Sequence, residues 1–250
     1  MRLVASMVTH NEADRYLEPC LAALAEFVDE IRVWDDGSTD DTLGILSRHP
    51  AVQVNGSPES AFFDHEGRVR QLGLDWTLQA NPTHVVAVDA DELILAGPKL
   101  REQLERGDAW SLCMREVWQA RPDSLQVRQD GGWCEHPVSI VWRVPRTMNR
   151  RWAIADRQLA CGRTPITVGS LRAVYSDVAV YHFGWANRGE REARWLRYRD
   201  LDGGRFHRNS HIDSIMWPDM DVTATMETVQ VPEAWVERAN RQIVATGGNA

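Results

Sequence analysis

The chain has 250 residues, of which 28 are basic and 36 acidic, giving a formal charge of −8. That length buries a substantial core and excludes a miniature stapled scaffold, while 43% hydrophobic and 26% charged residues exclude wholesale disorder and fibrous repeats. The acidic balance argues against a protein that coats nucleic acid, and no apolar run reaches the roughly 20 residues of a membrane-spanning helix. The amino terminus runs at once into a strand-like pattern without the apolar stretch of a secretory leader, so the expected location is the cytoplasm. Cys20, Cys113, Cys134 and Cys161 form no C-x-x-C pair and are expected as reduced thiols.

In chain order, Leu3–Thr9 reads as the first strand, and Leu17, Cys20, Leu21, Leu24, Phe27 and Val28 recur at helical spacing with Pro19 in the first turn. Ile31–Trp34 is a second strand. Asp35-Asp36-Gly37-Ser38-Thr39-Asp40-Asp41 forms a turn that ends in N-cap residues for a helix through Leu43–Leu46. Ala51–Val54 is a third strand stopped by Asn55-Gly56, Glu66–Ala80 a helix, and His84–Val88 a fourth strand. Strands alternating with helices require right-handed crossovers and a parallel sheet, so the first half is α/β. Residues 1–106 read as a ligand-binding α/β half. Residues 107–250 read as a loop-rich extension with strand-like runs at Ala109–Met114, Ser139–Val144 and Asp177–Phe183, then helices at Arg188–Leu201 and Pro232–Ala245. Nine of the eleven tryptophans lie in that second half, which offers amphipathic surface for stacking on a ring as well as core.

In such sheets ligands bind beyond the carboxyl ends of the strands, where Thr9-His10-Asn11, Asp35-Asp36, Asn55-Gly56 and Asp89/Asp91 all fall. Asp89-Ala90-Asp91 follows Val85–Val88 directly. In extended backbone the two carboxylates face the same way, and two hard oxygen donors suit Mg²⁺ or Mn²⁺ completed by phosphate oxygens.

Taken in order, Val8-Thr9-His10-Asn11-Glu12, Trp34 to Asp40, Gly67-Arg68-Val69-Arg70-Gln71-Leu72-Gly73 and Asp89-Ala90-Asp91 resemble the motifs of family 2 glycosyltransferases with the GT-A fold. The resemblance implies a mostly parallel central sheet flanked by helices and a site for a nucleoside-diphosphate sugar, a UDP-sugar above all. Val8, Thr9, Asn11 and Glu12 would hold the nucleoside and Asp36 the base. Arg70, or Arg68, would approach the diphosphate, Asp91 would hold the metal, and Asp89 would contact ribose or a metal-bound water. Gln71 departs from the asparagine usual after that arginine. At Tyr181-His182-Phe183-Gly184-Trp185 the resemblance adds His182 as a third metal ligand, which favours Mn²⁺ over Mg²⁺.

Inverting transfer needs a carboxylate to take the acceptor hydroxyl's proton. The segment from Arg143 through Arg146 and Arg151 to Asp156 resembles the family's arginine-rich strand followed by tryptophan and an acid, which points to Asp156, with Glu135 as the alternative base. Arg188, Arg191, Arg194 and Arg197, with Arg199, Arg205, His207, Arg208 and His211 nearby, are either a solvated face or a patch for a polyanionic acceptor such as modified DNA. A glycan, a protein side chain, a lipid-linked sugar and a hydroxymethylated nucleobase all fit as hydroxyl acceptors. The competing readings are a non-catalytic nucleotide-sugar-binding module and a sugar nucleotidyltransferase. The latter should show a glycine-rich loop after strand one, where Thr9-His10-Asn11-Glu12 has no glycine.

Overall fold

The computed structural model describes residues 1–95, 97–121, 124–145, 152–158, 161–202, 204, 207–220 and 224–230; Arg146, Arg151, Arg205 and the helix read over 232–245 lie outside them. The chain forms two compact units, one of Met1–Cys113 with Pro137–Val180 and the other of Met114–His136 with Tyr181–Ala250. This division differs from the halves 1–106 and 107–250 read from the sequence, because 107–113 and 137–180 fold with the first hundred residues.

The first unit opens with β1 (Leu3–Thr9), α1 (Leu17–Ala25), β2 (Glu30–Asp36), α2 (Thr42–Ser47), β3 (Val52–Ser57), α3 (Glu66–Leu78) and β4 (His84–Ala87). β5 (Glu92–Ile94), α4 (Gly97–Gln103) and the start of β6 (Ala109–Ala120) follow; β7 (Ser124–Arg128) belongs to the second unit, and β8 (His136–Arg143) from Pro137 onward and β9 (Ala173–His182) as far as Val180 return to the first. β1 is central. It pairs in parallel with β2, Thr9 opposite Asp35, and with β4, Ser6 opposite Ala87. β2 continues in parallel to β3, and β4 pairs antiparallel with β8. Helices cover both faces of such a sheet, so β1 and β4 bury side chains on both sides, with Leu3, Val4, Ala5, Val85 and Val86 fully buried, while β2 buries Ile31 and Val33 on one face.

One local reading is corrected. Asn55-Gly56 does not stop the third strand but continues β3 opposite Trp34 and Asp35, as an edge strand permits. At α2 the N-cap position is Asp41, and the neighbouring Asp40 supplies the side-chain acceptor: its Oδ1 accepts from Thr42 N at 2.9 Å and Thr42 Oγ1 at 2.5 Å. Burial opposes that carboxyl's ionisation, but these donors and Ala13 N hold it below the usual range. The late tryptophans are mainly core: Trp110, Trp118, Trp133, Trp142, Trp152 and Trp185 are all buried, so they supply packing rather than a stacking surface. None of the four cysteines is in a disulfide, and no helix among the described residues is long and apolar enough to cross a membrane.

His84, at the start of β4, is a buried group with a measurable consequence. Burial and the nearby charge of Arg143 lower it to about 4. The unfolded chain takes a proton near 6.5 that the folded chain refuses, so this contribution is complete above pH 6.5 and is lost as pH falls toward 4. The unfolding free energy of the native protein relative to His84→Asn is expected to drop by about 3 kcal/mol between pH 7.5 and 4.5 in urea titrations; a difference independent of pH contradicts the assignment.

In the second unit, the latter part of β6 pairs antiparallel with β7 across a bulge between Val117 and Gln119, and β7 pairs with β10 (Met226–Gln230). α5 (Arg188–Leu201) and α6 (Asn209–Ser214) complete it. Trp118, Trp133, Trp185, Ile215 and Met216 form its core. The fully buried Arg128 lies 4.6 Å and 5.2 Å from the rings of Trp118 and Trp133 and is neutralised by both oxygens of Asp130. In the arginine run of α5, Arg191 is buried and donates to the carbonyls of Trp118 and Trp185, while Arg194 lies over the Trp185 ring. These two arginines therefore hold the aromatic core together.

Candidate functional site

The carboxyl ends of β1 and β2 are knitted by their own polar side chains. Asp35 Oδ1 accepts from Thr9 Oγ1 and Ser38 Oγ, and Asn11, in the left-handed region at φ 53°, accepts from Thr39 N through Oδ1. His10 donates from Nδ1 to the Asp36 carbonyl at 2.7 Å, which leaves Nε2 to accept from Asn11 Nδ2. Glu12 pairs with Arg15 through both oxygens at 3.0 Å. The residues expected at the nucleoside thus form a preorganised wall.

Asp36 is buried, and its two oxygens differ. Oδ2 accepts from Ser60 Oγ, Ala61 N and Phe62 N, whereas Oδ1 has one long contact, 3.4 Å from Ser57 Oγ. The carboxylate therefore anchors the loop after β3. That loop crosses Gly37, at φ +69°, where a Cβ would lie 2.7 Å from the backbone of Glu59 and Ser60. Phe62, in the same loop, lies 5.3 Å from the Arg70 guanidinium.

Asp89-Ala90-Asp91 is a turn into β5, closed by Glu92 N donating to the Asp89 carbonyl, rather than the extended segment read from the sequence. Around it runs an alternating chain of charges. Glu66 Oε1 accepts from Arg70 Nε at 2.9 Å, Arg70 Nη1 donates to Asp89 Oδ1 at 2.7 Å, Arg163 Nη1 lies 3.5 Å from Asp89 Oδ2, and Arg163 Nη2 lies 2.6 Å from Glu92 Oε1. Glu92 Oε2 in turn accepts from Asp89 N. Burial pushes the Asp89 carboxyl up, but Arg70 and Arg163 outweigh it and hold the group below the usual carboxylate range. Burial likewise disfavours charge on Arg70, and Asp89 and Glu66 more than compensate. Arg70, not the exposed Arg68, is the arginine that faces the acidic turn. Asp91 Oδ2 lies 3.9 Å from Arg15 Nη2.

α3 also docks the segment that carries Asp156. Gly67 N donates to the Arg157 carbonyl, and a Cβ at Gly67 would come within 2.2 Å of the Ala155 carbonyl oxygen, so only glycine fits. Gln71 accepts from Ile154 N at 2.8 Å and donates to the Trp152 carbonyl at 3.2 Å, a two-point clamp that accounts for the longer amide at this position. Trp152 and Ile154 are buried in the core, and Cys161, its thiol pushed up to about 11 by burial, donates to the Ala155 carbonyl. The Asp156 side chain is 92% exposed and lies 3.2 Å from His65 Nε2.

The remaining two sites named from the sequence lie in the second unit. His182 Nδ1 is 2.6 Å from Glu116 Oε2, the arrangement in which a carboxylate orients an imidazole for ligation. The His182 contact outweighs burial and keeps the Glu116 carboxyl below its ordinary range. Glu135 is paired with Arg115 at 2.8 Å. Among the described residues no group of three or more His, Cys, Asp or Glu side chains is arranged to hold a metal ion. A cation bound by one or two carboxylates and completed by ligand phosphates needs no such cage, and the hard oxygens of Asp91 fit that role. Sequence reasoning missed Arg15, His65, Glu66, Glu92 and Arg163; the four-residue spacing of Glu66 and Arg70 and the adjacency of Glu92 to the acidic turn were signals for two of them.

A parallel sheet that collects carboxylates and guanidinium groups at the carboxyl ends of its strands defines an α/β protein, the class in which ligands bind at that edge. Residues 5–179 match the model of glycosyl transferase family 2, and the chain belongs to that family, with the α/β architecture of GT-A enzymes. Over 111 residues it is 39% identical to the uncharacterized proteins Rv3786c of Mycobacterium tuberculosis and Mb3815c of Mycobacterium bovis. The match covers 42% of this chain and 27% of each of those proteins, so the chain spans about a quarter of their length. Among solved structures, TarS 1-349 of S. aureus is similar at 16% identity and a TM-score of 0.47, covering 86% of this chain and 69% of that one. Glucosyl-3-phosphoglycerate synthase of Mycobacterium tuberculosis, solved with Mn²⁺, UDP and glucosyl-3-phosphoglycerate, is similar at 25% identity and a TM-score of 0.35, covering 46% of this chain and 44% of that one.

Proposed function

We propose that this chain transfers a glycosyl group from a nucleoside-diphosphate sugar, a UDP-sugar first among them, to a hydroxyl acceptor, with inversion and with Mn²⁺ or Mg²⁺ bound. The observation that carries this reading is the double duty of α3 in a family 2 chain. Through Arg70 it fixes the acidic turn, and through Gly67 and Gln71 it fixes the segment of Asp156, so a donor-side charge cluster and an exposed carboxylate are set by one helix.

In this reading the nucleoside lies against the wall formed by Val8, Thr9, Asn11 and Glu12. Asp36 offers the base Oδ1, the oxygen with the single long contact, while Oδ2 keeps the loop in place. Asp91 would hold the cation, and Asp89 would act from the outer shell because its charge is matched by Arg70 and Arg163. The cation, when bound, neutralises the diphosphate. Arg70, held by Glu66, Asp89 and Phe62, is a preorganised positive charge for the same leaving group. Asp156 accepts the proton of the acceptor hydroxyl as its oxygen bonds to the anomeric carbon; the bond from that carbon to the diphosphate breaks, and the nucleoside diphosphate leaves with the electron pair.

A panel of UDP-, GDP- and TDP-sugars with Mn²⁺ tests the reading. At about 100 times Kd, one nucleotide class is expected to raise Tm by about 5–10 °C and to release its nucleoside diphosphate slowly with water as acceptor. A Tm unmoved by every donor contradicts the reading, and a shift without any release returns the chain to a binding module.

A further inference from the structure

We propose that His65 is a positioning residue for Asp156, its Nε2 edge holding one carboxylate oxygen by a close polar contact so that the other faces the acceptor hydroxyl; this rests on the reading of Asp156 as the base. His65 is the N-cap of α3, and its Nδ1 accepts from Arg68 N at 3.2 Å. A nitrogen that accepts a backbone N–H carries no proton in the neutral ring, so the proton sits on Nε2, 3.2 Å from Asp156 Oδ1. The cap fixes the tautomer, and the tautomer makes the opposite edge a donor.

The choice of residue supports this. Ser, Thr, Asp or Asn caps a helix as well as or better than histidine, but each has its polar atoms at one place, whereas imidazole has a second nitrogen on its far edge. Asp156 is 92% exposed and His65 39%, so the pair contributes little to stability. The backbone on both sides of the contact is held, His65 at the start of α3 and the segment from Trp152 to Arg157 by Gln71, Cys161 and Gly67 N, so one polar contact suffices to orient the carboxylate. Without it, the exposed side chain of Asp156 would be free to rotate, and a mispositioned base costs rate rather than donor affinity.

His65→Asn separates the two tasks, because asparagine keeps the cap and cannot reach Asp156. Release of UDP from UDP-sugars, with water as acceptor, is expected to fall about ten-fold in kcat, with Tm and donor KM unchanged. Asp156→Asn should be inactive in the same assay. Full turnover in His65→Asn beside an inactive Asp156→Asn overturns the positioning role and leaves the base in place; full turnover in Asp156→Asn overturns both. The tautomer gives a readout independent of turnover. ¹⁵N correlation spectra of the native protein at pH 8 should show His65 with its proton on Nε2, and a proton on Nδ1 contradicts the proposal.

Discussion

Asp156→Asn is expected to lower glycosyl transfer by about 10²–10⁴-fold, the range a positioned general base supplies, with donor binding unchanged. The amide has nearly the shape of the carboxylate and cannot take a proton. Because the side chain is 92% exposed and its backbone is held by Gly67, Gln71 and Cys161, the substitution leaves the fold intact, so lost rate reports chemistry. Glu135→Gln is the comparison. Glu135 is half-exposed and paired with Arg115 in the second unit, and its replacement is expected to change kcat less than about three-fold, as a surface ion pair would. Loss of transfer in Glu135→Gln with full activity in Asp156→Asn exchanges the two roles.

The second large effect is expected at Asp91. Asp91→Asn should remove Mn²⁺-stimulated turnover, a loss of about 10²–10³-fold at saturating donor, since a neutral amide is a poor hard-cation ligand and the leaving diphosphate then keeps its charge. Arg15, 3.9 Å from Asp91, is also paired through both oxygens of Glu12, so its guanidinium is not stranded by the change. Asp89 is unsuited to the same test. Removing its charge leaves Arg70 and Arg163 uncompensated in a largely buried chain, and a lost fold would mimic a lost ligand. Mn²⁺-stimulated release of UDP from Asp91→Asn at the native rate contradicts the metal assignment.

The centre of the sheet was legible because β1 and β4 are runs of apolar residues with a polar break behind them. Leu3–Thr9 and the helix Arg188–Leu201 match the structure residue for residue. Asp36, Arg70 and Asp89 could be named from order and spacing, but their partners could not. Arg163 reaches Asp89 and Glu92 from more than seventy residues away, and nothing local to Arg163 marks that contact. The division into units was illegible for a related reason: 107–113 and 137–180 are held to the first hundred residues by pairings such as β4 with β8, which no local pattern encodes. The tryptophans misled because an indole suits a core and a ring-stacking surface equally, and only burial separates them. His65 escaped because histidine is an uncommon N-cap, and its second partner lies in a segment without regular structure.

A crystal structure of the full chain with UDP and Mn²⁺ tests the central claim most directly. The account predicts the diphosphate and its cation at the Asp91 carboxylate, with the base beside Asp36 Oδ1. Nucleotide seated away from the carboxyl ends of β1 and β4, or a cation bound without Asp91, contradicts it.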